Sequence, residues 1–284
     1  MSKRPNLGQI GIWSMELRFG DASAIAEAAA ELDELGFPAI WVPGGVGGDV
    51  AGDINRLLAA TSRATIATGI INIWKHTPAE IAGWWDSLPD DQRERLLLGL
   101  GISHAPLIGE GWNRPVARTR EWVEDLLGLG VPAQNLCLAA LGPKMVALSG
   151  ELTAGAHPYL VTPEHSRIAR DILGPDPLLA PEQGVVLETD PARARELARG
   201  ALVHYARLPN YRNNWLRLGF TEADCEGQSD ALLDGLFAWG TLDSIRERVQ
   251  QHQAAGADHV CLQAITGGGL PEARAAWREL ANLL

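Results

Sequence analysis

The chain has few cysteines, no excess of positive charge and no long apolar run, and each shortage closes off a class of function. Three cysteines in 284 residues, Cys137, Cys225 and Cys261, are odd in number and widely spaced. That excludes a disulfide framework or a paired zinc site, and reduced thiols fit a cytoplasmic compartment. With 24 Lys and Arg against 35 Asp and Glu the formal charge is -11. Nucleic acid and anionic membrane surfaces both call for a basic face, so neither is expected as a partner. No apolar stretch reaches the roughly 20 residues a membrane helix needs, and the opening Met1 to Asn6 holds no signal core. Two catalytic signatures are missing as well. None of the seven histidines forms the helix-spaced pair of a zinc protease or joins a dense carboxylate cluster, so no metal is expected. The Gly-x-Ser-x-Gly elbow of a hydrolase is absent, its nearest fragment being Ser149-Gly150.

What is present is a rhythm of short apolar runs, each followed by an amphipathic stretch. Strands are expected at 7–13, 39–42, 65–71, 96–102, 135–141, 157–161, 184–187 and 259–264. Between them the pattern predicts helices: Asp21 caps one that stops at Gly36, with Ile25, Ala28, Leu32 and Leu35 on one face. Others are expected at 53–62, from Thr77-Pro78, and at 115–127, 143–152, 163–173, 190–207, 242–255 and 271–284. Strands alternating with helices imply parallel βαβ units, and eight units in one chain of this size predict an α/β fold, a (β/α)8 TIM barrel forming a single domain over 1–284. The rhythm breaks over 209–239, where mostly helical material is expected as an insertion between strands 7 and 8. In such a barrel, chemistry sits on the loops after the strands.

Those loops hold the candidate residues. Gly69, Gly99, Gly101 and Gly142 cluster at strand ends, where a glycine lets a ligand lie against bare backbone or simply serves a tight turn. His104, just past the fourth strand, is the candidate acid or base, because an imidazole exchanges a proton near neutral pH. His157 is expected to open the sixth strand, away from the site, and His165 to follow it. Trp13, Trp41 and Trp74 fall at or just beyond strand ends. Trp84, Trp85, Trp122 and Trp277 lie on predicted helices, where packing is the expected use.

The runs Leu98-Gly99-Leu100-Gly101-Ile102-Ser103-His104, Ala139-Ala140-Leu141-Gly142-Pro143-Lys144-Met145 and Gly155-Ala156-His157-Pro158-Tyr159, with the opening Ile10-Gly11-Ile12-Trp13, resemble the bacterial luciferase-like flavin or deazaflavin oxidoreductases. The likeness covers nearly the whole chain and is greatest to the mycobacterial-type branch that uses coenzyme F420. It implies a non-proline cis peptide in a bulge at Gly69 and Ile70, behind the cofactor ring. It further implies that Gly101 and Ile102 line the ring edge and that Ala139, Ala140, Leu141 and Gly142 meet the pyrimidine side. Tyr159, Leu160, Val161 and Thr162 would hold the ribityl phosphate. Two departures stand out: the phosphate segment lacks Lys or Arg, with Arg167 a turn later, and the loop after the second strand reads Pro43-Gly44-Gly45-Val46-Gly47-Gly48-Asp49 where relatives carry an acid or histidine. Hydride transfer between F420 and a small organic substrate by a homodimer is the expected function. An FMN-dependent monooxygenase and a non-catalytic flavin-binding barrel remain alternatives.

Overall fold

The structure is a computed structural model and describes residues 4–45, 47–109 and 112–284. Met1, Ser2 and Lys3 of the N-terminal segment and Val46 of the glycine-rich loop lie outside the described residues. From the N-terminus, β1 (Ile10–Trp13) leads to α1 (Ala22–Glu34), and β2 (Ala39–Gly44) to α2 (Val50–Ala60). β3 (Thr65–Asn72) is followed by α3 (Pro78–Ser87) and the single turn α4 (Asp90–Arg93), and β4 (Leu96–Gly101) by α5 (Ala105–Ile108) and α6 (Pro115–Gly128). Next come β5 (Leu136–Leu138), α7 (Pro143–Leu152), β6 (Gly155–Ala156) and α8 (Pro163–Leu173). β7 (Leu178–Leu179) and β8 (Glu182–Val186) precede α9 (Pro191–Leu202) and three more helices, α10 (Pro209–Arg217), α11 (Glu222–Gly227) and α12 (Asp230–Leu236). The chain then forms β9 (Phe237–Trp239), α13 (Leu242–Ala254), β10 (Val260–Ala264) and α14 (Leu270–Leu280).

Among the described residues these strands make one curled parallel sheet of ten, in the order β7-β6-β5-β4-β3-β2-β1-β10-β8-β9. The extended run from Leu178 to Val186 carries both β7 and β8. Ala180 N and Glu182 N bond the carbonyls of Ala156 and Pro158 on one side, while Asp258 N and Cys261 N bond those of Leu179 and Pro181 on the other. One segment is therefore stitched to β6 and to the approach of β10.

Strand side chains alternate between two buried layers, as period-2 geometry requires. Ile40, Val42, Ile66, Leu96 and Leu98 point to the helices, which return Ile25, Leu32, Ile54 and Leu126 to the same core. Ala39, Trp41, Ala67, Leu97, Cys137 and Cys261 face the inside of the curl. Small residues on that inner side leave room for the large Trp41 ring, which is fully buried. The helices start where capping dictates: Asp21, Asp49, Thr77, Thr162, Asp190 and Thr241 each accept a backbone N–H at an N-terminus.

Several boundaries differ from the sequence expectation. The sixth strand is Gly155–Ala156, not 157–161: Pro158 has no N–H to donate to a ladder, and Leu160 takes a left-handed φ of 54°. The fifth is confined to Leu136–Leu138. Strands at Leu178–Leu179 and Phe237–Trp239 were not expected, being too short to show a period. The last of these falls inside the 209–239 segment, so its helical part ends at Leu236.

β3 carries a bulge: Ala67 faces Leu97 on β4, but Ile71 faces Leu100, so one extra residue is fitted in β3. Gly99 makes the close approach possible, because a Cβ there would sit 1.8 Å from Thr68 O. Replacing Gly99 with Ala is expected to destabilise the protein by about 3 kcal/mol or more, since backbone rather than a flexible side chain must give way. A urea midpoint for G99A within error of the wild type would refute this contact.

Candidate active site

The strand ends converge on the bulge. The Gly69–Ile70 peptide is cis, and Ile70 lies over Gly101, where a Cβ would meet Ile70 Cγ1 at 2.6 Å and Ala139 Cβ at 3.3 Å. Gly44 packs on the same turn, 2.8 Å from Ile70 O by the same measure. Three strands thus bring Gly69, Ile70, Gly101 and Ala139 onto one rim. Ile102 follows, its carbonyl accepting from Trp74 Nε1 at 2.8 Å. Leu141 O accepts from His165 Nε2 at 3.0 Å, and Gly142 is the N-cap of α7.

Below the rim lies a buried polar layer. Trp41 stacks on His157 at 4.2 Å between centroids and donates through Nε1 to His259 Nε2 at 3.0 Å. His259 and His157 each turn Nδ1 to a carbonyl, Gly8 O at 3.0 Å and Ala180 O at 2.8 Å. Both rings are therefore neutral Nδ1–H tautomers, and burial lowers each to about pH 4. Among the described residues Trp13 Nε1 and His157 Nε2 have no partner, and both lie within 2.8 Å of the point a Cβ on Gly69 would occupy. Nearby, Glu182 is fully buried; its Oε2 accepts Leu160 N–H at 3.1 Å while Oε1 is unpartnered. Desolvation pushes this carboxyl up to about 8, against the pull of that single N–H.

Above the rim lies an aromatic roof. His104 Nδ1 meets Asn210 Oδ1 at 2.9 Å, and its ring lies 5.5 Å from Tyr211. Tyr211 packs on Tyr205 at 5.3 Å, Tyr205 on Tyr159 at 5.3 Å, and Tyr159 on Trp13 at 5.5 Å. All three tyrosines of the chain are thus gathered here. Tyr159 donates to Gln263 Oε1 at 2.8 Å, and Trp215 Nε1 donates to Leu160 O at 3.1 Å. Burial depresses His104 below its ordinary value, opposed by its Asn210 bond.

The luciferase-like monooxygenase family model matches residues 7–259. The chain belongs to that family. Over 220 residues it is 28% identical to a Mycobacterium tuberculosis H37Rv protein assigned as a coenzyme F420-dependent oxidoreductase; the match covers 75% of this chain and spans 59% of that relative's length. Its fold is similar to that of an F420-dependent secondary alcohol dehydrogenase in complex with an F420-acetone adduct, with a TM-score of 0.77, 16% identity and 98% of each chain covered. It is also similar to the FMN-bound oxygenating component of 3,6-diketocamphane monooxygenase from Pseudomonas putida, with a TM-score of 0.66, 14% identity and 98% and 99% covered.

Within this luciferase-like chain, some candidates lie where the sequence suggested and others do not. His157 follows its strand and stacks on Trp41, because the strand begins two residues earlier than expected and has ended by Ala156. Val161 is fully buried, and Thr162 closes α8 by accepting His165 N–H at 3.3 Å. Asp49 is committed to Gly52 N–H at the start of α2, and Arg167 to Glu164 and Asp171. Sequence reading missed Glu182, Asn210, Tyr205 and Tyr211. Only the gathering of every tyrosine in 159–211 hinted at them.

The buried ionisable groups give stability a definite pH shape. His157, His165 and His259 fall to about 4 and His252 to about 3 by burial. Between roughly pH 6.5 and 4 the unfolded chain binds protons these rings refuse, so stability drops as pH falls. Glu182 acts oppositely: folded, it keeps a proton that the unfolded chain releases above about 4.5, so stability drops as pH rises toward 8. Four rings outweigh one carboxyl on the acid side, leaving the alkaline slope from 6.5 to 8 to Glu182. Denaturation of E182Q across this range should show the acid limb intact and that alkaline slope flattened; an unchanged slope would contradict a protonated Glu182.

Proposed function

We propose that this luciferase-like oxidoreductase transfers hydride between coenzyme F420 and a small organic substrate bearing a hydroxyl or carbonyl. In this reading the sheet is a (β/α)8 barrel in one domain over 1–284, with α10 to α12 inserted between the seventh and eighth barrel strands, and the protein works as a cytoplasmic homodimer. The observation that carries the reading is the placement of His104, hydrogen-bonded to Asn210 at one edge of a rim made by Gly69, Ile70, Gly101 and Ala139. The residues fit a flat tricyclic ring: the Ile70 side chain stands on glycine, and unpartnered nitrogens of Trp13 and His157 lie beside Gly69. When bound, F420 supplies a ring carbon that takes up or gives hydride.

The protein's own part is to position, dry and exchange a proton. Asn210 Oδ1 can only accept, so His104 carries its hydrogen on Nδ1 and leaves Nε2 as the exchanging nitrogen. Burial keeps that ring neutral at pH 7, which suits it to take the hydroxyl proton as a substrate alcohol is oxidised, and to return it in the reverse direction. Tyr205, Tyr211 and Trp215 close the site from above and keep water from the reacting atoms. Ile102, Ala140, Leu141 and Gly142 continue the cofactor's wall.

His104→Ala is expected to lower turnover about a hundred- to ten-thousandfold while F420 affinity stays unchanged, as removal of a general acid–base group does. Unchanged turnover would remove His104 from the mechanism. Fluorescence titration with F420 and FMN tests the cofactor: saturable binding of F420 alone supports the hydride-transfer reading. FMN binding alone favours the monooxygenase, in line with the FMN-bound structural relative. Binding of neither defeats both.

A further inference from the structure

The segment Tyr159 to Thr162 brings no cation to the phosphate it is expected to hold, and Arg167 is exposed and engaged by two carboxylates. A different arginine reaches the same neighbourhood. Arg217, the last residue of α10, places Nη2 3.8 Å from the point a Cβ on Gly142 would occupy. Gly142 begins α7, and this end is open: no side chain caps it, Pro143 has no N–H, and the first amides bonded within the helix are those of Met145 and Val146. The next helix along, α8, is closed by Thr162.

Arg217 is also under-used. Among the described residues its one hydrogen bond is from Nη2 to Asn214 Oδ1 at 3.2 Å, and it makes no ion pair. Arg212, five residues earlier on the same helix, has both Glu222 and Glu226. Asn214 is 1% exposed, and its Nδ2 has no partner. His165, 3% exposed, adds a second unpartnered nitrogen, Nδ1, while its Nε2 ties α8 to the carbonyl just before Gly142. The charge of Arg217 adds to burial in holding His165 neutral. His165 donates through Nε2, so its Nδ1 is an acceptor and the unmet buried donor is Asn214 Nδ2; that donor, an unpaired guanidinium and an open helix N-terminus are the parts of an anion seat.

We propose that Arg217, with Asn214 and the open end of α7, holds the phosphate group of the cofactor, supplying the cation that the segment after β6 lacks. This rests on the reading above that a deazaflavin or flavin occupies the rim. The geometry of α10 links the two ends of such a ligand. Asn210, Asn214 and Arg217 recur at i, i+4 and i+7 on one helix face, about 10 Å from first to last at 1.5 Å per residue. The first grips His104 beside the ring site and the last reaches Gly142, a separation of the order that a five-carbon ribityl arm and its phosphoester span. Arg217 lies at the C-terminal end of α10, where the helix dipole favours a cation, and faces the N-terminal end of α7, where it favours an anion. In a chain of net charge -11 such a spot gives an anionic ligand a defined address.

The test pairs two ligands with two proteins. Dissociation constants for F420 and for the same deazaflavin without its phosphate-bearing arm are measured by fluorescence titration with wild type and R217Q. Arg217 is solvent-exposed, so the variant should keep its fold, which its thermal midpoint verifies. Loss of one charge-assisted contact should weaken F420 binding about tenfold or more, while binding of the phosphate-free form stays as it was. R217Q binding F420 as tightly as wild type, or weakening both ligands equally, would overturn the assignment and leave the F420 reading standing. Failure of wild type to bind either deazaflavin would overturn the reading and the assignment together.

Discussion

The extra residue in β3 is the constraint on which the rest of this site depends. A parallel ladder keeps step only if neighbouring strands advance equally, yet here β3 gains one residue against β4 between Ala67 and Ile71, and one against β2 between Val42 and Gly44. The surplus has to go somewhere, and it rises onto the rim as Gly69 and Ile70. Its neighbours can only yield by having no side chain: a Cβ at Gly99, Gly44 or Gly101 would come within 1.8 Å, 2.8 Å or 2.6 Å of the bulged backbone or of Ile70. The glycines at the strand ends are thus first a packing solution. The same bulge lays the Ile70 side chain over Gly101.

Beneath the bulge, the inside of the curled sheet is polar as well as aliphatic. Neutral imidazoles tolerate burial if each nitrogen has the right partner, and His259 meets that condition between Trp41 and Gly8. Glu182 tolerates burial by keeping its proton. Its carboxyl and the Trp215 indole hold the two ends of Leu160's backbone, N–H and C=O, in a left-handed conformation that a branched residue rarely adopts unaided. Leu160 is therefore clamped between the inside of the curled sheet and the helical roof.

Much of this was legible in the sequence, and the failures have physical causes. The long strands β2, β3 and β4 carry enough alternating apolar residues to be read, as do helices with a capping residue and an apolar face such as α1 and α3. Two-residue strands cannot display a period, so β6 was displaced onto the apolar loop after it and β7 went unseen. That displacement also put His157 at the wrong end, because a residue that follows the strand was read as opening it. The rim residues were legible because their types repeat a family pattern. Glu182 and Asn210 were not, since their partners lie 22 and 106 residues away and nothing local marks them.

The missing acid after β2 can now be explained rather than noted. Gly44 packs against Ile70 O, so a side chain at that position collides with the bulge, and the loop beyond is fastened through its carbonyls instead. Arg18, almost wholly buried, donates to Pro43 O and Gly47 O while pairing with Asp53, and Lys75 donates to Gly45 O. Two cations thus fasten the loop after β2 through its carbonyls. A carboxylate introduced there would be drawn into ion pairs with Arg18 or Lys75 and held ionised, useless as an acid at neutral pH. Asp49 is already bound to its own helix. Past the end of β4, burial lowers the pKa of His104 and Asn210 orients its ring. Packing around a single bulge therefore leaves the end of β2 without an acid–base side chain, while the end of β4 presents His104.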